Sequence, residues 1–267
     1  YDISCCLVCS EMCVRDCTMA NGDFANGFQD TICYFDMFFR KVPDNGGFAI
    51  MAGVEQLVEY LQNLTFTEED IQYLHSKHIF SEKFLEYLRD FKFSCDVWAI
   101  PEGTPIFPGE PIVTVRGPAI QAQFVETMVL LCVNHQSLIA TKANRISRAA
   151  QGRAVMEFGS RRAQGFDGAM YGARAAYIGG FVGTAFTICD QMFGVPALGT
   201  MVHISFQRFP TEYQASKAYA QALPATSLLP VVSHTLRRSA LPHATTGLNG
   251  VMALRGSRLT RTRCPSG

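Results

Sequence analysis

The chain has 267 residues, of which 48% are apolar and 17% charged, with 23 basic side chains balancing 23 acidic ones. This suits one large α/β domain, or a small domain with part of a larger one, and excludes disordered, collagen-like and coiled-coil chains. The longest apolar run is the six residues Met128 to Val133, short of the ~20 a membrane helix needs, so no membrane partner is expected.

The balanced charge hides an asymmetry. Residues 223–267 contain six arginines but no Lys, Asp, Glu, aromatic or Ile, which leaves 17 bases against 23 acids in the remainder. This basic tail lacks the lysines and interleaved aromatics of a nucleic-acid surface, so no nucleic-acid partner is expected either. Five of the ten cysteines crowd the start, at Cys5, Cys6, Cys9, Cys13 and Cys17, without zinc-ligand spacing. Both ends are atypical and open to the reading of a shifted frame. With no secretory leader and a first residue of Tyr1 in place of Met, the chain reads as a fragment of a reduced, cytoplasmic protein.

From Thr18 onward, local patterns predict elements in order. Residues 31–39 (TICYFDMFF) read as a buried strand. Residues 54–64 have helical spacing, with Val54, Leu57, Val58, Leu61 and Leu64 on one stripe. Thr67 to Asp70 forms a capping-box pattern with Asp in place of Glu, and Ser81 can cap the next helix. Residues 95–100 and 112–115 read as strands around the turn-rich PEGTPIFPGEP. A long helix from Ile120 to Val133 then meets a polar hinge, Asn134-His135-Gln136, before a second helix to Ala150. A βα rhythm follows, with strands at 154–158 and 195–199 and helices through 171–178 and from about Thr211. Parallel βα units argue for an α/β barrel or open sheet. Four segments result: an atypical 1–17, an α+β domain over 18–133, the first part of an α/β domain over 134–222, and the basic tail 223–267.

Three constellations carry chemistry. In FGSRRAQG, residues 158–165, Arg161 and Arg162 emerge at the carboxyl end of a strand, the edge that holds ligands in parallel α/β folds. Paired guanidiniums there suit a carboxylate or phosphates; the bland alternative is a solvated arginine pair. In GTMVH, residues 199–203, Thr200 offers a hydroxyl and His203 an imidazole able to serve as base or phosphoryl acceptor. On the helix from His135, Lys142, Arg145 and Arg148 line one face, either a phosphate wall or a solvated face. No GxGxxG, Walker A, HExxH or GxSxG element occurs, and no metal ligand set is assigned.

Together these motifs resemble the nicotinate phosphoribosyltransferase family. The resemblance runs from about Thr18 to Ala222, through TMANG (18–22), YFDMFFRKVPDNGGFAIMAG (34–53), FTEEDIQYL (66–74), AIPEGTPIFPGEP (99–111), NHQSLIATKANR (134–145), VMEFGSRRAQG (155–165), YGARAAYIGGF (171–181) and GTMVH. It implies an N-terminal α+β domain followed by a truncated, irregular α/β barrel of the type II phosphoribosyltransferase kind, usually in a homodimer. The implied reaction joins nicotinate to phosphoribosyl pyrophosphate, giving nicotinate mononucleotide and pyrophosphate for NAD biosynthesis. ATP hydrolysis drives it, with Mg²⁺ as the usual companion of the leaving pyrophosphate. The resemblance makes His203 the phosphohistidine and places Thr200 at the nicotinate site and Arg161 and Arg162 near the carboxylate and phosphate groups, while Lys142 and Arg145 stay phosphate-binding candidates from the helix face alone.

The sequence departs from the family at several points: Arg15 stands where a nicotinate-stacking Tyr is usual, Ala185-Phe186 replace a common Ser-Asn, and Ile204 follows His203. Alternatives are an inactive truncated remnant, or a nicotinamide or quinolinate phosphoribosyltransferase relative. Residues 1–267 alone are expected to be inactive, because too few barrel strands are present to enclose phosphoribosyl pyrophosphate.

Overall fold

A computed structural model describes residues 13–199 and 208–222 and two short strands at 230–231 and 258–259. Thr200, His203 and most of the basic tail lie outside the described residues.

The first half mixes helices and antiparallel strands. Helix α1 (Val14–Ala25) leads into strand β1 (Ile32–Met37) and the short β2 (Ala49–Ile50); helices α2 (Val54–Asn63), α3 (Glu68–Ser76) and α4 (Glu82–Arg89) follow. Strands β3 (Asp96–Ala99), β4 (Pro105–Ile106) and β5 (Val113–Pro118) close this part, with sheet order β1-β5-β3 and a separate β2-β4 pair. Local chemistry sets the helix starts. The Thr67 hydroxyl accepts from the Asp70 N–H at 3.2 Å while the Asp70 carboxylate accepts from the Thr67 N–H at 2.8 Å, so Asp completes the capping box. Ser81 caps α4 through the Phe84 N–H. Phe84, Leu85 and Leu88 of α4, Ile71 and Leu74 of α3, and Leu57 of α2 then bury their side chains in one core.

Two expectations need correction here. Residues 32–37 do form a strand, but at the sheet edge and mostly exposed, with Tyr34 65% accessible. An unbroken apolar run does not distinguish a strand buried on both faces from one whose outer face is open. In α2 the buried side chains are Leu57 and Tyr60, while Val58 faces out.

The polar hinge is also absent. Helix α5 (Ala119–Phe124) ends at Val125, and α6 (Glu126–Ala149) then runs unbroken through Asn134-His135-Gln136. The polar side chains of α6 make a buried seam instead. Gln136 donates to Gln56 at 2.7 Å, Ser137 both accepts from the Ala52 N–H and donates to its carbonyl, and Thr141 accepts from the Ile50 N–H at 2.8 Å. The Ile50 and Ala52 N–H groups and the Ala52 carbonyl thus gain partners from α6. The helical stretch 119–149 has the length and apolarity of a membrane span, but 56% of its most apolar window is buried inside the fold. It is a core helix.

The second half turns parallel. Strand β6 (Met156–Glu157), helix α7 (Gly165–Ile178), strand β7 (Gly183–Thr184), helix α8 (Thr187–Phe193) and helix α9 (Glu212–Ala222) follow in order. β6 pairs with β7 in parallel, and Thr184 bridges Ala197 in parallel. The sequence pattern, with strands at 154–158 and 195–199 and none between, predicts these two as adjacent parallel strands; instead β7 lies between β6 and the segment after α8. β7 is only Gly183 and Thr184, set between Phe181-Val182 and Ala185-Phe186, and two residues are too few for a strand period to show. Glycine allows the tight approach of α7 to α6, since a Cβ on Gly179 would lie 2.5 Å from the Ala140 carbonyl oxygen.

Candidate functional site

The arginine turn forms where β6 ends. Gly159 leaves the strand, Ser160–Arg162 make one 3-10 turn, and α7 begins at Gly165 with φ +85°. Both guanidiniums are exposed at the carboxyl end of a parallel strand, as the sequence pattern required. A planar fork so placed can grip a carboxylate or phosphate through two parallel hydrogen bonds.

Beneath the turn lies a carboxylate that sequence reasoning missed. One oxygen of Glu157 accepts from the Gly159 N–H and the other from the Thr184 hydroxyl at 2.6 Å. Thr184 is fully buried; its N–H donates to the Pro196 carbonyl at 3.0 Å and its carbonyl accepts from the Leu198 N–H at 2.8 Å. The chain segment that leads to Thr200 and His203 is thus tied to the same residue that holds Glu157.

Lys142 and Arg145 do not join the arginine turn through any contact found among the described residues. Both reach Asp44, at 3.4 and 3.3 Å, and Arg145 also donates to the Pro43 carbonyl at 3.0 Å. Arg148, on the same helix, stacks its guanidinium 5.7 Å from the centre of the Phe48 ring. This face is therefore partly neutralised by the loop it covers.

A second missed feature is a charged network inside the fold. Arg174 on α7 is only 8% accessible. It donates to both Glu102 oxygens, at 3.0 and 2.6 Å, to Gln136 at 3.3 Å, and to Glu55. Glu102 also accepts from the Gly53 and Val54 N–H groups at 2.6 and 2.9 Å. Burial pushes the Glu102 carboxyl up, yet the hydrogen bond and charge of Arg174, with the two backbone donors, outweigh it and hold the group below its ordinary range. For Arg174 burial acts downward, and the two carboxylates overcome it, so the guanidinium stays charged. The sequence signal was a lone arginine among small residues (GARAA) on a helix, since a charge that such a face buries must be paired.

Among the described residues, Cys189 is the cysteine whose thiol feels the charge of Glu157. The Cys189 thiol is pushed up to about 11 by burial and by the charge of Glu157, so it stays protonated and packs against Met170.

This architecture has known counterparts. The family model described as the nicotinate phosphoribosyltransferase (NAPRTase) N-terminal domain matches residues 16–134. The chain belongs to the nicotinate phosphoribosyltransferase family. It is 43% identical over 220 residues to nicotinate phosphoribosyltransferase pncB2 of Mycobacterium tuberculosis, covering 82% of this chain and 47% of that protein. Against nicotinate phosphoribosyltransferase of Bacillus subtilis it is 40% identical over 226 residues, covering 85% of this chain and 46% of the relative. The crystal structure of human nicotinic acid phosphoribosyltransferase superimposes with a TM-score of 0.68 at 31% identity, over 80% of this chain and 47% of that one. A nicotinate-nucleotide pyrophosphorylase from Pyrococcus furiosus shares the fold, with a TM-score of 0.70 at 21% identity, over 90% of this chain and 55% of that one. The chain thus spans about half the length of the curated relatives it matches.

Proposed function

We propose that this chain carries the nicotinate- and anion-binding part of an ATP-dependent nicotinate phosphoribosyltransferase of NAD biosynthesis. The observation that carries this reading is the arginine turn: two exposed guanidiniums at the carboxyl end of a parallel strand, in a chain of this family. Nicotinate presents a carboxylate and phosphoribosyl pyrophosphate several phosphate oxygens, and Arg161 and Arg162 supply matching forks. As C–N bond formation expels pyrophosphate from an oxocarbenium-like sugar, those cations stabilise the growing negative charge. Thr200 adds a hydroxyl at the nicotinate ring, and Lys142 and Arg145 form a second anion wall once Asp44 releases them. In this reading β6, β7 and residues 195–198 begin a parallel barrel of the type II kind.

His203 is assigned as the phosphoryl acceptor from ATP, its neutral imidazole attacking the terminal phosphorus while ADP leaves. Magnesium belongs to this reading through the pyrophosphate. Among the described residues no three acidic, Cys or His side chains converge on a point that could hold a metal ion. A homodimer fits the exposed apolar side chains of Phe38, just after β1, and of Leu130 and Leu131 on α6, which line one cavity, a patch of the kind that self-association covers.

Labelled ATP tests the phosphoryl step. Extended to the length of its relatives, the protein is expected to take up label that is acid-labile and alkali-stable. His203→Ala should abolish that label while leaving some phosphoribosyl transfer, because the arginine turn remains. Label at the wild-type level in the variant removes His203 from the mechanism.

A further inference from the structure

The Glu157–Thr184 pair links the start of the arginine turn to residues 196–198. We propose that these two residues are positioning residues, which set the arginine turn and the strand segment approaching Thr200 in one fixed register. The inference rests on the reading of Arg161 and Arg162 as the nicotinate- or phosphate-binding pair.

The hydrogen bonds form a continuous chain. The Gly159 N–H, immediately before the arginine turn, donates to one Glu157 oxygen, and the Thr184 hydroxyl donates to the other at 2.6 Å. That hydroxyl accepts in turn from the Phe186 N–H at 3.1 Å. The backbone of β6 and β7 adds Val182 N–H to the Val155 carbonyl at 2.9 Å and Ala185 N–H to the Glu157 carbonyl at 3.0 Å. Thr184 then passes the register to residues 196–198 through its own N–H and carbonyl. Gly183 lets that segment lie close, since a Cβ there would fall 2.5 Å from the Pro196 carbonyl oxygen and 2.8 Å from a Leu198 methyl carbon.

A three-residue turn whose two arginines are exposed has little packing of its own, so its geometry depends on what anchors the N–H at its start. A carboxylate can accept from two donors at once, and here it uses one oxygen for the turn and one for the neighbouring strand. Sites held within a fraction of an ångström need such support from the layer beneath. The Glu157 side chain is not itself assigned a contact with substrate. Its geometry rather than its charge is what the turn requires, and that separates it from a general base or a ligand to a cation.

Glu157→Ala, Glu157→Gln and Thr184→Val, made in the full chain, test this with two readouts. Glutamine keeps one carbonyl oxygen for the Gly159 N–H and an amide for the Thr184 hydroxyl to accept; valine keeps the shape of threonine without its hydroxyl. Hydrogen exchange is expected to speed up across residues 158–165 and 195–199 in the alanine and valine variants and to stay near wild type in the glutamine variant. Nicotinate affinity, read by calorimetry, should fall about tenfold or more in the first two and recover in Glu157→Gln. Should Glu157→Ala fail to fold, the near-isosteric Thr184→Val carries the test. Loss of affinity in Glu157→Gln equal to that in Glu157→Ala, or unchanged exchange in the alanine and valine variants, overturns the proposal. Faster exchange in those variants together with no nicotinate binding by the wild-type chain would instead reject the nicotinate reading and leave the mechanical coupling in place.

Discussion

Arg174→Ala is expected to cost about 3–5 kcal/mol of stability, the range for removing one partner of a buried ion pair. The variant leaves Glu102 half-buried beside the Gly53 and Val54 N–H groups with no cation to balance it. The Glu102 carboxyl is held below its reference value of 4.5 in the fold, so its contribution is complete above that value. As pH falls through the lower folded value, the wild-type protein loses this contribution; Arg174→Ala lacks it at every pH. Adding Glu102→Gln to the variant should recover part of the loss, because an amide leaves no unpaired charge. Urea denaturation at neutral and acid pH measures all three. A loss below about 1 kcal/mol, the scale of exposed pairs, would mean that the network adds nothing.

Gly53→Ala is expected to be comparably damaging for steric reasons. Gly53 has φ +102°, and a Cβ there would lie 2.4 Å from the Cys132 carbonyl oxygen and 3.0 Å from the Val133 Cα, both in the backbone of α6. Left-handed strain costs roughly 1–2 kcal/mol, and overpacking against a helix backbone adds about 1–3 kcal/mol. The shift also disturbs the Gly53 N–H bond to Glu102, so the two effects compound. Gly103 supplies the control: φ is +82°, but nothing lies within 4 Å of its added Cβ. Gly103→Ala should therefore lower the denaturation midpoint far less than Gly53→Ala. Equal losses at the two positions would remove the close approach of Gly53 to α6 as the cause.

Short-range chemistry was readable from the sequence. The Thr67 and Ser81 caps, the helices they start and the strand–turn–helix around Arg161 depend on neighbours within a few residues, and each formed where the pattern placed it. What failed depended on distant partners. Asn134-His135-Gln136 reads as a hinge only until Gln136 is seen to meet Gln56, 80 residues away. The exposure of β1 follows from its edge position beside β5, set by a pairing of residues 32–37 with 113–118. β7 was too short for any period to show, yet its Thr184 joins Glu157, beside the arginine turn, to residues 196–198. Arg174, Glu55 and Glu102 are separated by up to 119 residues, and no local rule pairs them. The family resemblance carried the function class, whereas the supporting carboxylates emerged only from the packed fold.

Nicotinate binding by the 267-residue protein, compared with nicotinamide and with an Arg161→Ala/Arg162→Ala variant, tests the arginine turn most directly. A hydrogen bond to a charged group contributes about 1.5–3 kcal/mol, so calorimetry should show nicotinate bound about tenfold or more tighter than nicotinamide, with binding lost in the double variant. Nicotinamide binding as tight as nicotinate, or an affinity unchanged by loss of both guanidiniums, would contradict the assignment of this turn to the pyridine carboxylate.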